Sequence, residues 1–236
     1  MSQPRTKLSK VIQSVIMTPV NSLKNRFLRA DSQQVQYNRF HSQFGEDRYI
    51  YDNLELPHQG VFIDVGAGHP SYLSNTYFFE KNGWQGICID ADPTQYELLK
   101  KEREQVEWAA ISSEEGEIEF SQAYFPSYSS SVNEKEYNPL LKVPFKGTIK
   151  VPAFRLETIL QKYNIEKIDL LDIDVEGTEI EVWQTLDYEK HKPTVVILEY
   201  QTFGLSDNSE KIEYFFSTLP YKIVHKTCTN LIFLHG

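Results

Sequence analysis

Phe62-Ile63-Asp64-Val65-Gly66-Ala67-Gly68 sets one carboxylate just before a glycine turn, and Asp90 supplies a second 22 residues after Gly68. Glycines at such a turn let backbone come close to a ligand, and a carboxylate closing the next strand accepts protons from both ribose hydroxyls. This is the chemistry of an adenosine-containing cofactor, either a dinucleotide or S-adenosylmethionine. A second acidic group runs through Asp172-Ile173-Asp174-Val175-Glu176-Gly177-Thr178-Glu179. Charge compensation at a helix N-terminus, about 0.3–1 kcal/mol per acid, accounts for Glu179. It accounts less well for Asp174 and Glu176, which sit where a strand runs out, the end of an α/β sheet at which ligands bind.

Elements of the right kind surround these residues. Short apolar runs predict strands over 61–65, 86–90, 106–111, 168–174, 194–199, 221–225 and 230–235. Helices are expected over about 73–82, 93–103, 155–163, 177–185 and 208–218, with Pro93 in a first turn and Asp92 as its N-cap. Alternation of this kind implies a mostly parallel sheet covered on both faces. Only Lys226-Thr227-Cys228-Thr229 separates the last two strands. That gap holds a hairpin and no helical crossover, so the final strand must run antiparallel.

The cofactor choice turns on a departure. Where the dinucleotide fingerprint needs a third glycine, the chain has Gly66-Ala67-Gly68-His69-Pro70-Ser71. A pyrophosphate is bound at the N-terminus of the helix that follows, and Pro70 would lie within its first turn. S-adenosylmethionine carries no phosphate and tolerates the change.

Composition narrows the classes further. The chain has 236 residues and a net charge of −9, which argues against non-specific nucleic-acid binding through phosphates. Two cysteines make neither a disulfide framework nor a zinc site, and Cys88 falls inside a buried strand as a small apolar residue. A reducing, cytoplasmic setting is the expectation. No apolar run of transmembrane length occurs, so stable membrane insertion is not expected. Residues 1–36 are expected to form a basic N-terminal helical segment and linker, with Arg5, Lys7, Lys10, Lys24, Arg26 and Arg29 and no acid up to residue 30. The catalytic domain is expected over 37–236. Between 121 and 150 the pattern lapses into Ser, Tyr and Pro, and this stretch reads as an irregular acceptor loop or lid.

Ser42-Gln43-x-Gly45-Glu46-Asp47, the glycine motif, Leu73-Ser74-Asn75-Thr76, Gly83-Trp84-x-Gly86-x-Cys88-Ile89-Asp90 and the Asp-Val-Glu-Gly block occur in that order. Over about residues 41–236 the chain resembles the FkbM-type methyltransferases. The resemblance implies a class I, Rossmann-like α/β fold: a seven-stranded mostly parallel sheet with an antiparallel last strand and helices on both faces. It also implies S-adenosylmethionine-dependent O-methylation of a hydroxyl on a sugar or natural product, in a biosynthetic setting. Carried over by position, Asp64, Gly66 and Gly68 would border the methionine part of the cofactor, Asp90 would hold its ribose, and Asn75 would be a further cofactor-binding residue. Ala110 and Ile111 would lie beside adenine, while Gln43 and Glu46 would close over the cofactor. Asp172 stands where relatives carry Lys or Ser and has no evident role.

A sugar hydroxyl is a poor nucleophile at neutral pH and benefits from a general base. Asp174, Glu176 and His69 are the catalytic candidates, with His225 a weaker one. Asp174 and Glu199 together offer oxygen ligands suited to Mg²⁺, but a divalent metal is not the favoured reading and no metal ligands are assigned. The expected partner is a small-molecule acceptor, with a homodimer as a further expectation. Alternatives left open are a peptide carboxylate or amine acceptor, a nicotinamide-dependent oxidoreductase, and a non-catalytic module acting through its basic N-terminal segment.

Overall fold

A computed structural model of the chain describes residues 40–123, 145–202 and 206–236. In chain order the elements begin with α1 (Glu46–Asn53), β1 (Val61–Val65), α2 (Tyr77–Lys81), β2 (Gln85–Asp90) and α3 (Pro93–Glu102). Then come β3 (Val106–Trp108), β4 (Ala110–Ile111), β5 (Gly116–Ala123), β6 (Phe145–Phe154), α4 (Leu156–Lys162), β7 (Leu170–Ile173) and α5 (Glu179–Trp183). The last are α6 (Tyr188–His191), β8 (Val195–Glu199), β9 (Gln201–Thr202), β10 (Ser206–Asp207), α7 (Ser209–Phe216), β11 (Tyr221–Lys226) and β12 (Asn230–His235).

Seven strands form the central sheet in the order β11-β12-β8-β7-β1-β2-β3. The strands from β8 to β3 pair in parallel, while β12 lies antiparallel between β8 and β11. The hairpin inferred from the short 226–229 gap is therefore present. Strand periodicity of two sorts side chains cleanly. Ile63, Val65, Ile87, Ile89, Leu171, Ile173, Val196 and Leu198 face one apolar layer with α4, α5 and α7. Phe62, Cys88, Leu170, Val195, Ile197 and Ile232 face the other, against Ile50 of α1, Phe78 and Phe79 of α2, and Leu99 of α3. Each fully buried Ile, Leu, Val or Phe contributes about 1.5–3 kcal/mol relative to exposure, so both faces are closed by burial.

The same periodicity puts Asp64, Asp90, Asp172 and Glu199 on the second face, toward the carboxyl ends of β1, β2, β7 and β8. Register pairs Asp64 directly with Asp172. Asp92 caps α3 by accepting from Thr94 N at 2.7 Å, with Pro93 at the first helical position as expected.

Two stretches differ from the sequence reading. The strand expected over 106–111 breaks at Ala109: Ala110–Ile111 leaves the main sheet and pairs with Ala153 and Phe154 of β6. Part of the stretch expected to be irregular over 121–150 is regular strand. Residues 121–123 and 145–150 belong to an antiparallel β5–β6 ribbon, and 124–144 lie outside the described residues. Ribbon residues Ile118, Phe120, Ile149 and Val151 pack on Ala110 and Trp108 as a small separate cluster. The basic segment expected over 1–36 also lies outside the described residues. Among those described, no helix is long and apolar enough to cross a membrane.

Gly66 is the tightest point of the fold. Its φ is +81°, and a Cβ there would stand 1.7 Å from the carbonyl oxygen of Asp174. Gly83 also has a left-handed φ, +93°, but nothing lies within 4 Å of its Cβ position. Gly83→Ala should therefore cost only the backbone conformation, about 1–2 kcal/mol, and Gly66→Ala about 2 kcal/mol more. Urea unfolding of the two variants measures the difference; equal losses would refute the close approach.

Candidate active site

The site grows from three chain reversals at the carboxyl ends of neighbouring strands. After β1 the chain turns at Gly66, whose N–H and that of Ala67 both donate to Ile89 O, at 2.9 and 3.2 Å. After β7 the Asp174 N–H donates to Val65 O at 2.9 Å, extending the ladder by one residue. The glycine turn and the acidic block are thus bonded to each other through backbone. After β8, Glu199 comes to the same level, the last residue of a strand buried throughout.

Asp90 closes β2 and faces the glycine turn. Its Oδ2 accepts from Gly68 N at 2.8 Å and its Oδ1 from Asp92 N at 2.7 Å. Burial pushes its pKa up to about 7; the two backbone N–H groups oppose that rise, and the charges of Asp92 and Asp64 add to it. The carboxylate is therefore oriented by backbone against the glycine turn. Beside it Ala109 N donates to Asp90 O at 3.1 Å, and Trp108 Nε1 to Ala91 O at 2.9 Å. Ala110 and Ile111 are buried next to this pair, an apolar edge of the kind an adenine ring fits.

Asp64 and Asn75 occupy positions behind the turn. Asp64 is buried, accepts from the Thr76 hydroxyl, and lies 3.9 Å from Arg103 Nη1. Burial raises its pKa, opposed first by the Arg103 charge. Arg103 pairs with Glu80 at 2.8 Å and donates to Thr76 Oγ1 at 2.7 Å and to Pro70 O at 3.0 Å. This one guanidinium holds the 70–76 loop against β1. Asn75 Nδ2 donates to both oxygens of Asp172, at 3.2 and 3.0 Å. Asp172, without an evident role in the sequence, is the partner that orients Asn75.

Glu46 departs from its expected place over the cofactor. It is fully buried, with Oε1 accepting from Thr227 Oγ1 at 2.8 Å and Asn230 Nδ2 at 2.9 Å, and Oε2 from Phe44 N at 2.9 Å. Both oxygens are used in clamping the 41–47 segment to the terminal hairpin. Asp47 folds the same segment, accepting from His41 N at 2.6 Å and from Ser42 Oγ at 2.5 Å. Gln43 lies between these two tethers and stays partly exposed.

Asp174, Glu176 and Glu199 come together, with one carboxylate oxygen from each lying within 4.8 Å of the others. Glu176 has a left-handed φ of +61° in a non-glycine residue, a conformation that costs of order 1–3 kcal/mol and persists only when surroundings impose it. Part of that imposition is visible: Glu179 reaches back to accept from Gly177 N at 2.7 Å. Burial raises Glu179 to about 7. Burial also raises Asp174 to about 6, opposed by its hydrogen bond with Glu199. Glu199 is pushed well above the usual carboxylate range, first by burial and then by the charges of Asp174 and Glu176. His69 is placed differently. Its Nδ1 accepts from Ser71 N at 3.2 Å and Tyr72 N at 3.0 Å. In the tautomer that accepts these bonds the proton lies on Nε2, so the ring has no free lone pair with which to act as a base. His225 stacks on Tyr49 with centroids 4.0 Å apart.

Sequence reasoning missed Arg103 and Thr76 and gave Glu199 only a marginal part. Arg103 has no local signal, since its partners lie 23 to 39 residues away. Glu199 had one, a carboxylate ending a wholly apolar strand.

A model of the FkbM methyltransferase domain matches residues 64–223. No curated protein matches the chain. Among solved structures, a TehB-like SAM-dependent methyltransferase from Corynebacterium glutamicum aligns over 92% of this chain and 97% of its own, at 10% identity and TM-score 0.45. The O-methyltransferase of Bacillus cereus in complex with SAH aligns over 97% and 96%, at 11% identity and TM-score 0.44. Precorrin-6y C5,15-methyltransferase of Geobacter metallireducens aligns over 87% and 96%, at 14% identity and TM-score 0.44. The family match spans well over half of the chain, from the first site carboxylate into β11, so the chain belongs to the FkbM methyltransferase domain family and is an S-adenosylmethionine-dependent methyltransferase.

Proposed function

We propose that the chain is an O-methyltransferase that moves the methyl group of S-adenosylmethionine to a hydroxyl of a small acceptor, a sugar or natural product, in the cytoplasm. The observation that carries this reading is the carboxylate cluster of Asp174, Glu176 and Glu199, bonded through backbone to the glycine turn of the donor site. In the transfer an oxygen lone pair of the acceptor attacks the methyl carbon and the carbon–sulfur bond breaks. The sulfonium becomes the neutral thioether S-adenosylhomocysteine, and the hydroxyl proton passes to a carboxylate of the cluster. Alignment of oxygen, methyl and sulfur supplies most of the rate, and the base adds about 10²–10⁴-fold. Asp174 and Glu176 are the proposed catalytic residues. A carboxylate acceptor fits this end poorly, because like charges would meet there.

On the donor side Gly66 and Gly68 give close backbone approach to the methionine part and Asp90 takes the ribose hydroxyls. Asn75, Ala110, Ile111 and Gln43 complete the proposed cofactor wall, while Asp64 and Glu46 act through the loops they hold.

Asp90→Ala should leave the circular dichroism spectrum unchanged and weaken S-adenosylmethionine binding at least about tenfold, about 1.4 kcal/mol; unchanged affinity by calorimetry refutes the ribose assignment. Ribose hydroxyls donate to an ionised Asp90, whose pKa in the free protein is raised to about 7. Ionisation must therefore precede binding, and cofactor affinity should rise from pH 6 to pH 8. Asp90→Asn should flatten that rise. Asp174→Asn and Glu176→Gln should each lower turnover by about 10²-fold or more with cofactor affinity retained. Normal turnover in both variants would place the chemistry elsewhere.

A further inference from the structure

Glu199 presents a problem that the methyl-transfer reading leaves unsolved. Its side chain is 8% exposed, and its Oε2 finds no hydrogen-bond donor among the described residues. No Lys, Arg or His forms an ion pair with Glu199 or Asp174 among those residues. A buried carboxylate without a cationic partner is costly, and here it faces two more carboxylates at close range. Elsewhere in the domain the chain answers the same difficulty with protein groups: Asp64 and Glu80 have Arg103, and Asp172 has Asn75. At Glu199 the hydrogen-bond partner is another carboxyl group, Asp174, and Oε2 has no donor among the described residues.

The spacing of the three carboxylates has a natural occupant. A hard divalent cation takes oxygen ligands at about 2.0–2.6 Å, which sets pairs of its ligand oxygens about 3–5 Å apart. The oxygens of Asp174, Glu176 and Glu199 lie within 4.8 Å of one another. All three donors are carboxylate oxygens, with no sulfur or imidazole among them, a set that selects Mg²⁺ or Mn²⁺ over softer metals. Asp174 and Glu176 are partly exposed and Glu199 is buried, so the cluster has a closed floor and an open mouth. The left-handed Glu176 fits the same account: its backbone is held in an unfavourable conformation by the turn that brings its side chain to this point.

We infer that Asp174, Glu176 and Glu199 form a binding site for a divalent cation of the Mg²⁺ or Mn²⁺ class at the acceptor end of the cleft. The inference deepens the O-methyl reading of the same site. Three carboxylates fill half of an octahedral shell and leave positions for oxygens of the acceptor. Such a site selects an acceptor with two adjacent oxygens, a vicinal diol or a hydroxyl next to a carbonyl. Coordination of the hydroxyl oxygen makes its proton more acidic, and a carboxylate bound through one oxygen keeps the other to receive it.

The test is Mn²⁺ titration of the full-length, chelator-treated protein, followed by electron paramagnetic resonance of free Mn²⁺ and by calorimetry. The wild-type protein should bind one Mn²⁺ with a Kd below about 1 mM, displaced by Mg²⁺. Glu199→Gln and Glu176→Gln should each raise that Kd at least about tenfold, with S-adenosylmethionine affinity retained. Glu176 is partly exposed on a loop, so its variant reports on the site even where Glu199→Gln fails to fold. Absence of saturable Mn²⁺ binding to the wild type, or an unchanged Kd in Glu176→Gln, overturns the inference. The titration needs no acceptor and is read independently of any methylation assay.

Discussion

The contact on which this domain depends is the approach of Gly66 to the backbone of Asp174. A side chain at position 66 has no room, because the carbonyl oxygen of Asp174 occupies its place. The hydrogen bond from Asp174 N to Val65 O makes the approach obligatory and fixes the level at which the acidic block leaves the sheet. The glycine turn and the carboxylate cluster are in consequence one piece of backbone geometry. In-line methyl transfer needs that rigidity, since a small misplacement of nucleophile against sulfonium forfeits much of the rate.

Around this contact the domain concentrates acidic side chains in a place where water is scarce. Asp64, Asp90, Asp172 and Glu199 all project from one sheet face and are all buried. Three of them are stabilised by different means: a guanidinium and a hydroxyl for Asp64, backbone N–H groups for Asp90, an amide for Asp172. These groups keep the carboxylates in place and orient them. Structural and chemical duties divide along the same line. Glu46 and Asp90 each have both oxygens taken up by protein donors, whereas Glu199 keeps one oxygen without a donor among the described residues.

Most of the framework was legible because buried strands are written as short apolar runs: those expected over 61–65 and 230–235 are where their pattern placed them, and that expected over 194–199 begins one residue later, at Val195. The antiparallel terminus was legible for a plainer reason, a gap too short for a helix. Less visible was the β5–β6 ribbon. Its strands alternate charged and apolar residues, as in Gly116-Glu117-Ile118-Glu119-Phe120, and the Ser, Tyr and Pro composition that follows masks their pairing partner. Site residues with local motifs, Gly66, Gly68 and Asp90, were readable; those defined by distant partners were not. Glu46 shows the difference. Its motif marked it as important, but its partners lie 181 and 184 residues further on, and only the folded chain shows that its carboxylate is already engaged.

That long-range clamp has a consequence for biosynthesis. The 41–47 segment is among the earliest parts of the domain to be made, and Asn230 and Thr227 are among the last. Until the terminal hairpin has been synthesised and has inserted beside β8, the carboxylate of Glu46 has no hydrogen-bond donors except Phe44 N. Contacts of such sequence separation form late, because closing so long a loop costs entropy before any contact rewards it. A nascent chain can assemble β1, β2 and β7 and still leave the 41–47 segment unclamped. The 41–47 segment is therefore locked in place only once β12 has paired.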